Sequence, residues 1–139
     1  MTRFRHESHY EIAFSAFFEV PIWWDRNPEK WTPAVLDGLQ SPDNQVFLSL
    51  VSLWEIQIKT QLGKLTLRGH LADIMQQQQI ENGLRLLPIE VTHILALDHL
   101  PQHHRDPFDR LLIAQSLVER ATLVSRDPIF QNYGCPVLW

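Results

Sequence analysis

A chain of 139 residues, 45% hydrophobic and 20% charged, has the make-up of a single globular domain, long enough to bury roughly two-thirds of its unfolded surface. Its net charge of −4 argues against a protein that coats nucleic acid non-specifically, although local arginines and lysines could still grip a phosphate backbone. The single cysteine, Cys135, excludes an intrachain disulfide, which suits a reducing cytoplasm and leaves the thiol as a small buried hydrophobe beside the last strand.

The first residues superficially resemble a signal peptide, with Arg3 and Arg5 ahead of the apolar run from Ile12 to Trp24. Glu7 and Glu11 sit just before that run, Glu19 and Pro21 interrupt it, and no small-residue cleavage site follows, so it reads as mature sequence. No segment reaches the roughly 18 apolar residues of a membrane span. Ile12 to Val20 reads as a buried strand that Pro21 stops. Trp23, Trp24 and Trp31 follow, then a short helix from about Pro33, capped by Thr32 and ended between Gly38 and Pro42. After the turn at Asp43 and Asn44, Val46 to Leu48 is a second strand, and Ser49 leads into a helix that Gly63 stops. Leu71 to Glu81 is a further helix ended by Asn82 and Gly83, Arg85 to Ile89 a third strand, and Thr92 to Leu100 another helix. An apolar run of helical length, Leu111 to Val118, precedes a short strand at Thr122 to Ser125 and a terminal strand at Val137 to Trp139. Strands alternating with helices at this spacing predict an α/β fold with a parallel sheet covered on both faces. There is no internal repeat and no long Gly/Ser linker, so residues 1–139 form one domain.

Acidic residues recur where helices begin. Glu55 shares a helical stripe with Val51, Ile58 and Leu62, and so lies along an apolar face, where a carboxylate needs a cation or donors to offset desolvation. The competing reading is a capping box, Ser52-x-x-Glu55, or an i,i+4 pair with Lys59. Asp106 before Pro107 is a strong N-cap, while Asp109 at the third helical position favours the helix dipole. Asp127 before Pro128 is a plausible cap for a short turn ending near Tyr133. Capping does not explain why acids at 55, 106 to 109 and 127 all fall at one expected edge of the sheet, the carboxyl edge where open α/β folds bind ligands. Carboxylates gathered there repel one another until a hard divalent cation sits among them, and Mg²⁺ or Mn²⁺ fits because no Cys/His zinc spacing is present. Adjacent His103 and His104 read as solvated loop residues, with substrate contact as the minor alternative.

Together, SLWEIQIKTQLGKL, LPQHHRDPFDRLLIAQSLVERATLVSRD and the terminal YGCPVLW resemble the PIN-domain ribonucleases, specifically VapC-type toxins of bacterial toxin–antitoxin pairs. The resemblance covers about Ile22 to Trp139 and leaves residues 1–20 as a divergent segment. It implies a three-layer α/β/α sandwich around a mostly parallel sheet, Mg²⁺- or Mn²⁺-dependent cleavage of RNA, an antitoxin partner and a homodimer. By the same resemblance Glu55, Asp109 and Asp127 take the places of catalytic metal ligands, Asp106 is a motif neighbour counted with the metal set, and Ser125 matches a hydroxyl residue near the metal water. Arg105, Arg110 and Arg126 border the site and could contact the RNA backbone, although solvated arginines would look the same.

One family motif is missing. The family's first strand ends in an Asp-Thr-His-like sequence, and counting back from Trp23-Trp24 puts Phe17 at the Asp position. Glu19, two residues on, would be displaced by roughly 7 Å along a strand, a poor substitute in an octahedral site. Two readings follow: a metal-dependent ribonuclease in which the remaining acids activate a water for phosphodiester hydrolysis, and a catalytically impaired domain that keeps an antitoxin-binding surface, to which the tryptophans contribute unless they are core. A phosphoacceptor domain is a remote third, because neither paired acids after a first strand nor a lysine near the last strand is evident.

Overall fold

The computed structural model describes residues 12–14, 32–102, 106–125 and 127–139. Its five strands are β1 (Ile12–Phe14), β2 (Val46–Ser49), β3 (Arg85–Leu87), β4 (Thr122–Val124) and β5 (Val137–Leu138). They form one sheet in the order β3-β2-β1-β4-β5, and every pairing is parallel. The register sets Phe14 level with Leu48 on one side and Val124 on the other. The chain therefore winds outward from β1 through β2 to β3, then returns across β1 to build β4 and β5. Beside β1 the winding reverses, and the crevice for a ligand lies outside the strands' carboxyl ends at such a point.

Around the sheet lie α1 (Pro33–Gln40), α2 (Leu50–Gln61), α3 (Leu71–Asn82), α4 (Val91–Leu95) and α5 (Pro107–Glu119), with 3-10 turns at Ala96–His99 and Pro128–Tyr133. All four residues of β2 are buried, as expected of a central parallel strand with both faces covered. Alternation along β4 sends Leu123 and Val124 to opposite faces. Val124 joins Val35 and Leu39 of α1, Met75 of α3, and Val46 and Leu48 in one core. Leu123 joins Val51 of α2, Leu112, Ile113 and Ala114 of α5, and Phe130, Tyr133 and Cys135 in the other. The result is the three-layer α/β/α sandwich, and every strand pairing among the described residues is parallel. No helix among the described residues is long and apolar enough to cross a membrane.

Several boundaries differ from expectation for local reasons. The first strand is seen over Ile12–Phe14, and the rest of the stretch to Val20 lies outside the described residues. The third strand ends at Leu87, because Pro88 has no N–H to continue a ladder. The expected helix from Thr92 to Leu100 is one α-helical turn followed by a 3-10 turn, and Leu100 is extended (φ −82°, ψ 137°). Pro101 follows, and a residue before proline is driven out of the helical region. The third helix ends as expected on Gly83, which takes the left-handed conformation (φ 65°) and donates to the Gln78 carbonyl.

Candidate active site

Two helices deliver acids to the carboxyl edge of the sheet. The helix α2 leaves β2 there through Ser49, whose side chain caps it by accepting from the Val51 N–H at 3.0 Å. The helix α5 runs back into β4 through Arg120, so its start lies at the same edge. The two helices pack together, and the rings of Trp54 and Phe108 meet edge to face, with centroids 5.0 Å apart at 79°. The residues that follow these rings are Glu55 and Asp109, and both are buried, at 7% and 8% exposure.

Ser49 as the N-cap places Ser52 at the third helical position, so the capping box Ser52-x-x-Glu55 does not exist. Glu55 is on the buried face, as its stripe implied, whereas neighbouring Trp54 is 55% exposed. Asp106 is the cap of α5: its Oδ1 accepts from the Phe108 N–H at 2.8 Å and the Asp109 N–H at 3.1 Å. Asp109 sits in the first turn, where the helix dipole favours a negative charge.

Past β4, Ser125 is buried and its Oγ accepts from the Asp127 N–H at 3.1 Å, while Asp127 Oδ1 accepts from the Ile129 N–H at 3.0 Å and caps the 3-10 turn. Among the described residues no three His, Cys, Asp or Glu side chains form a group that could hold a metal ion. The gathering of Glu55, Asp106, Asp109 and Asp127 into one cluster is therefore not realised. Asp106 and Asp127 cap helix starts, while Glu55 on α2 and Asp109 in the first turn of α5 are each buried. Arg110 is also engaged locally: its guanidinium donates to the carbonyls of Pro101 at 2.8 Å and Leu97 at 3.5 Å, tying the loop before α5 to the helix. Arg105, Arg126, His103, His104, Phe17, Glu19, Trp23, Trp24 and Trp31 lie outside the described residues.

One group of polar residues went unnoticed in the sequence. Gln115 and His93 are buried beside Ser49, and their only signal was a glutamine inside the apolar run Leu111 to Val118. Cys135 is buried as expected; its Sγ donates to the Phe130 carbonyl at 3.4 Å, and desolvation raises its thiol above the ordinary value of 9.0. An open groove of about 750 Å³ between α2 and α3, lined by Leu50, Leu53, Trp54, Leu71 and Met75 among others, contains none of the four acids.

A family model described as PIN domain matches residues 22–134. The chain belongs to the PIN-domain family. PIN domains are generally nucleases, so a nuclease is the family-level expectation for this edge of the sheet. No protein of curated function matches this PIN domain in sequence. Its fold is similar to that of VapBC2 from Rickettsia felis, solved bound to a DNA fragment from its promoter, with a TM-score of 0.65 at 13% identity, over 92% of this chain and 97% of that one. It is also similar to FitAcB from Neisseria gonorrhoeae (TM-score 0.58, 18% identity, 92% and 96% covered). A toxin–antitoxin complex from Klebsiella pneumoniae is a third (TM-score 0.53, 15% identity, 92% and 96% covered).

The donor set of this PIN domain suits a hard cation. Glu55 and Asp109 offer carboxylate oxygens alone, and Mg²⁺ commonly keeps several waters while binding through one or two carboxylates and substrate phosphates. PIN nucleases typically use divalent metals, and Glu55 and Asp109 are the buried carboxylates that would hold one here.

Proposed function

We propose that this PIN domain is a divalent-metal-dependent endoribonuclease, acting as the toxin of a toxin–antitoxin pair. The observation that carries the reading is the burial of Glu55 and Asp109 on two helices whose preceding residues, Trp54 and Phe108, touch at the carboxyl edge. A buried carboxylate needs cations or donors to offset its desolvation, and two of them on neighbouring helices at this edge are a candidate for binding positive charge. Glu55 and Asp109 would hold Mg²⁺ or Mn²⁺. Bound there, the cation would supply a nucleophilic water and neutralise charge on the scissile phosphate.

The chain's own residues account for the rest. Asp106 fixes the first turn of α5 and with it the placement of Asp109. Asp127 adds negative charge beyond the end of β4, and Ser125 holds its backbone. Arg110 keeps part of its five-donor fork for a phosphate after binding the two loop carbonyls. Arg105 and Arg126 complete the proposed RNA contacts. The similar folds solved as toxin–antitoxin complexes support an antitoxin partner. A homodimer and residence in the cytoplasm belong to the same proposal and rest on the family resemblance and on the single cysteine.

Cleavage of mixed tRNA and ribosomal RNA by the purified chain, with and without Mn²⁺ or Mg²⁺ and beside Asp109→Asn, tests this reading. Cutting that needs metal and disappears in the variant supports it. A folded sample that cuts nothing at high metal concentration supports the second reading, a catalytically impaired PIN domain retaining antitoxin binding. Two observations favour that alternative: no three acids form a group among the described residues, and residues 1–20 contain no Asp.

A further inference from the structure

We infer that a buried hydrogen-bonded chain, Ser49–Gln115–His93–Glu119, is the positioning device that sets α2 against α5 and thereby places Glu55 relative to Asp109; the inference rests on the reading of those two acids as the metal pair. The donors in this chain are determined by their surroundings. Gln115 Nε2 lies 3.2 Å from the Pro88 carbonyl, so it donates there, and Gln115 Oε1 is left to accept from the Ser49 hydroxyl. A flipped amide would set two oxygens against each other. His93 Nδ1 accepts from the Glu90 backbone N–H at 2.9 Å and so carries no proton, with Gln115 Nε2 a second, longer donor at 3.4 Å. The proton is therefore on His93 Nε2, which donates to Glu119 Oε2 at 2.7 Å.

Each link crosses between elements. Ser49 is the last residue of β2 and the cap of α2, Gln115 lies on α5 about two turns beyond Asp109, Pro88 follows β3, and His93 is on α4. Glu119 returns the chain to the last turn of α5. Ser49, His93 and Gln115 are at most 2% exposed, so water does not replace a lost partner. The surrounding apolar contacts, including Phe47, Leu87 and Ala121, are non-directional and tolerate small slides of one helix over another. A hydrogen bond with both partners buried does not, and a metal-binding pair needs its supports held within about 0.5 Å. Gln115 is thus a positioning residue that acts through Ser49 on the start of α2.

The test uses the full chain and three readouts. In the wild type, ¹⁵N spectra of His93 should show the Nε2–H tautomer. Gln115→Leu and Ser49→Ala should both reduce the ring-current shift that Phe108 imposes on the Trp54 indole and weaken Mn²⁺ binding by about tenfold, the usual effect of losing an outer-shell partner. Ser49→Thr, which keeps the hydroxyl, should retain both. Leu39→Ala, in the core on the opposite face of the sheet, should lower stability yet leave the Trp54 shift and the Mn²⁺ affinity unchanged. Should Gln115→Leu fail to fold, Gln115→Met, which keeps the length of the side chain and the Ser49 cap but removes both amide hydrogen bonds, decides in its place. An Nδ1–H tautomer, wild-type shifts in Ser49→Ala, or an equal response in Leu39→Ala overturns the inference. If the wild type shows no Mn²⁺ binding that depends on Asp109, the proposed function fails, while the Trp54 shift and the His93 tautomer still judge the positioning.

Discussion

Asp106 and Asp109 stand three residues apart at one helix start, yet the structure uses them differently. Asp106 satisfies two backbone N–H groups, whereas Asp109 is itself buried in the first turn of α5. Asp106→Ala should therefore cost about 1 kcal/mol in urea denaturation, the typical loss for an N-cap, and weaken Mn²⁺ binding without abolishing it, because the turn that places Asp109 loosens; outright loss of binding in a folded Asp106→Ala variant would return Asp106 to the ligand set. Cys135 makes a pH-dependent prediction. Burial raises its thiol in the folded state, so the unfolded chain releases that proton first as pH rises and stability falls once pH passes about 9. Cys135→Ala should decline less steeply over that range, as thermal melts between pH 8 and 10 would show; parallel slopes would contradict it. The burial of Glu55 was legible from its stripe with Val51 and Ile58, although Leu62, the stripe's last member, is exposed at the end of the helix. The cap at Ser49 was not, because Ser52 offers an equally good local pattern, and only the end of β2 decides between them.

At the scale of elements, the helices were readable wherever a cap and a stop flank an apolar repeat, as Asp106-Pro107 and Gly83 do. The helix α4 was not, because the 3.6-residue pattern of Thr92 to Leu100 carries no mark of the switch to a tighter turn that Pro101 imposes. Gln115 was also hidden, since a single polar residue in an apolar run has no partner until β2, the loop at Pro88 and α4 surround it. The end of α5 is a further oddity. Arg120 takes the left-handed conformation (φ 56°, ψ 40°), the one non-glycine residue to do so among those described. That conformation costs a side-chain-bearing residue about 1–2 kcal/mol, so Arg120→Gly should stabilise the fold by about 1 kcal/mol, visible as a rise of about 3 °C in Tm. A fall in Tm would mean that the Arg120 side chain contributes more than its backbone strain costs.

For the whole molecule, alternating strands and helices announced a parallel sheet, but the order β3-β2-β1-β4-β5 was not legible, since spacing alone does not say on which side of β1 the chain returns. Net charge bears on substrate binding at this scale. A chain of charge −4 attracts no polyanion at long range, so its grip on RNA would depend on few contacts, Arg105, Arg110 and Arg126. With roughly 0.7 counterions released per contacted phosphate on a single strand, the slope of log affinity against log salt should be about −2. Anisotropy of labelled single-stranded RNA with Asp109→Asn measures it, and a much steeper slope would reveal a basic surface not identified among these residues. If Glu55 and Asp109 form one metal centre, Mn²⁺ titration followed by electron paramagnetic resonance will show it. One bound Mn²⁺ per chain, lost in both Glu55→Gln and Asp109→Asn and only weakened in Asp127→Asn, is expected; binding that survives in both of the first two variants would rule out a shared Glu55–Asp109 centre.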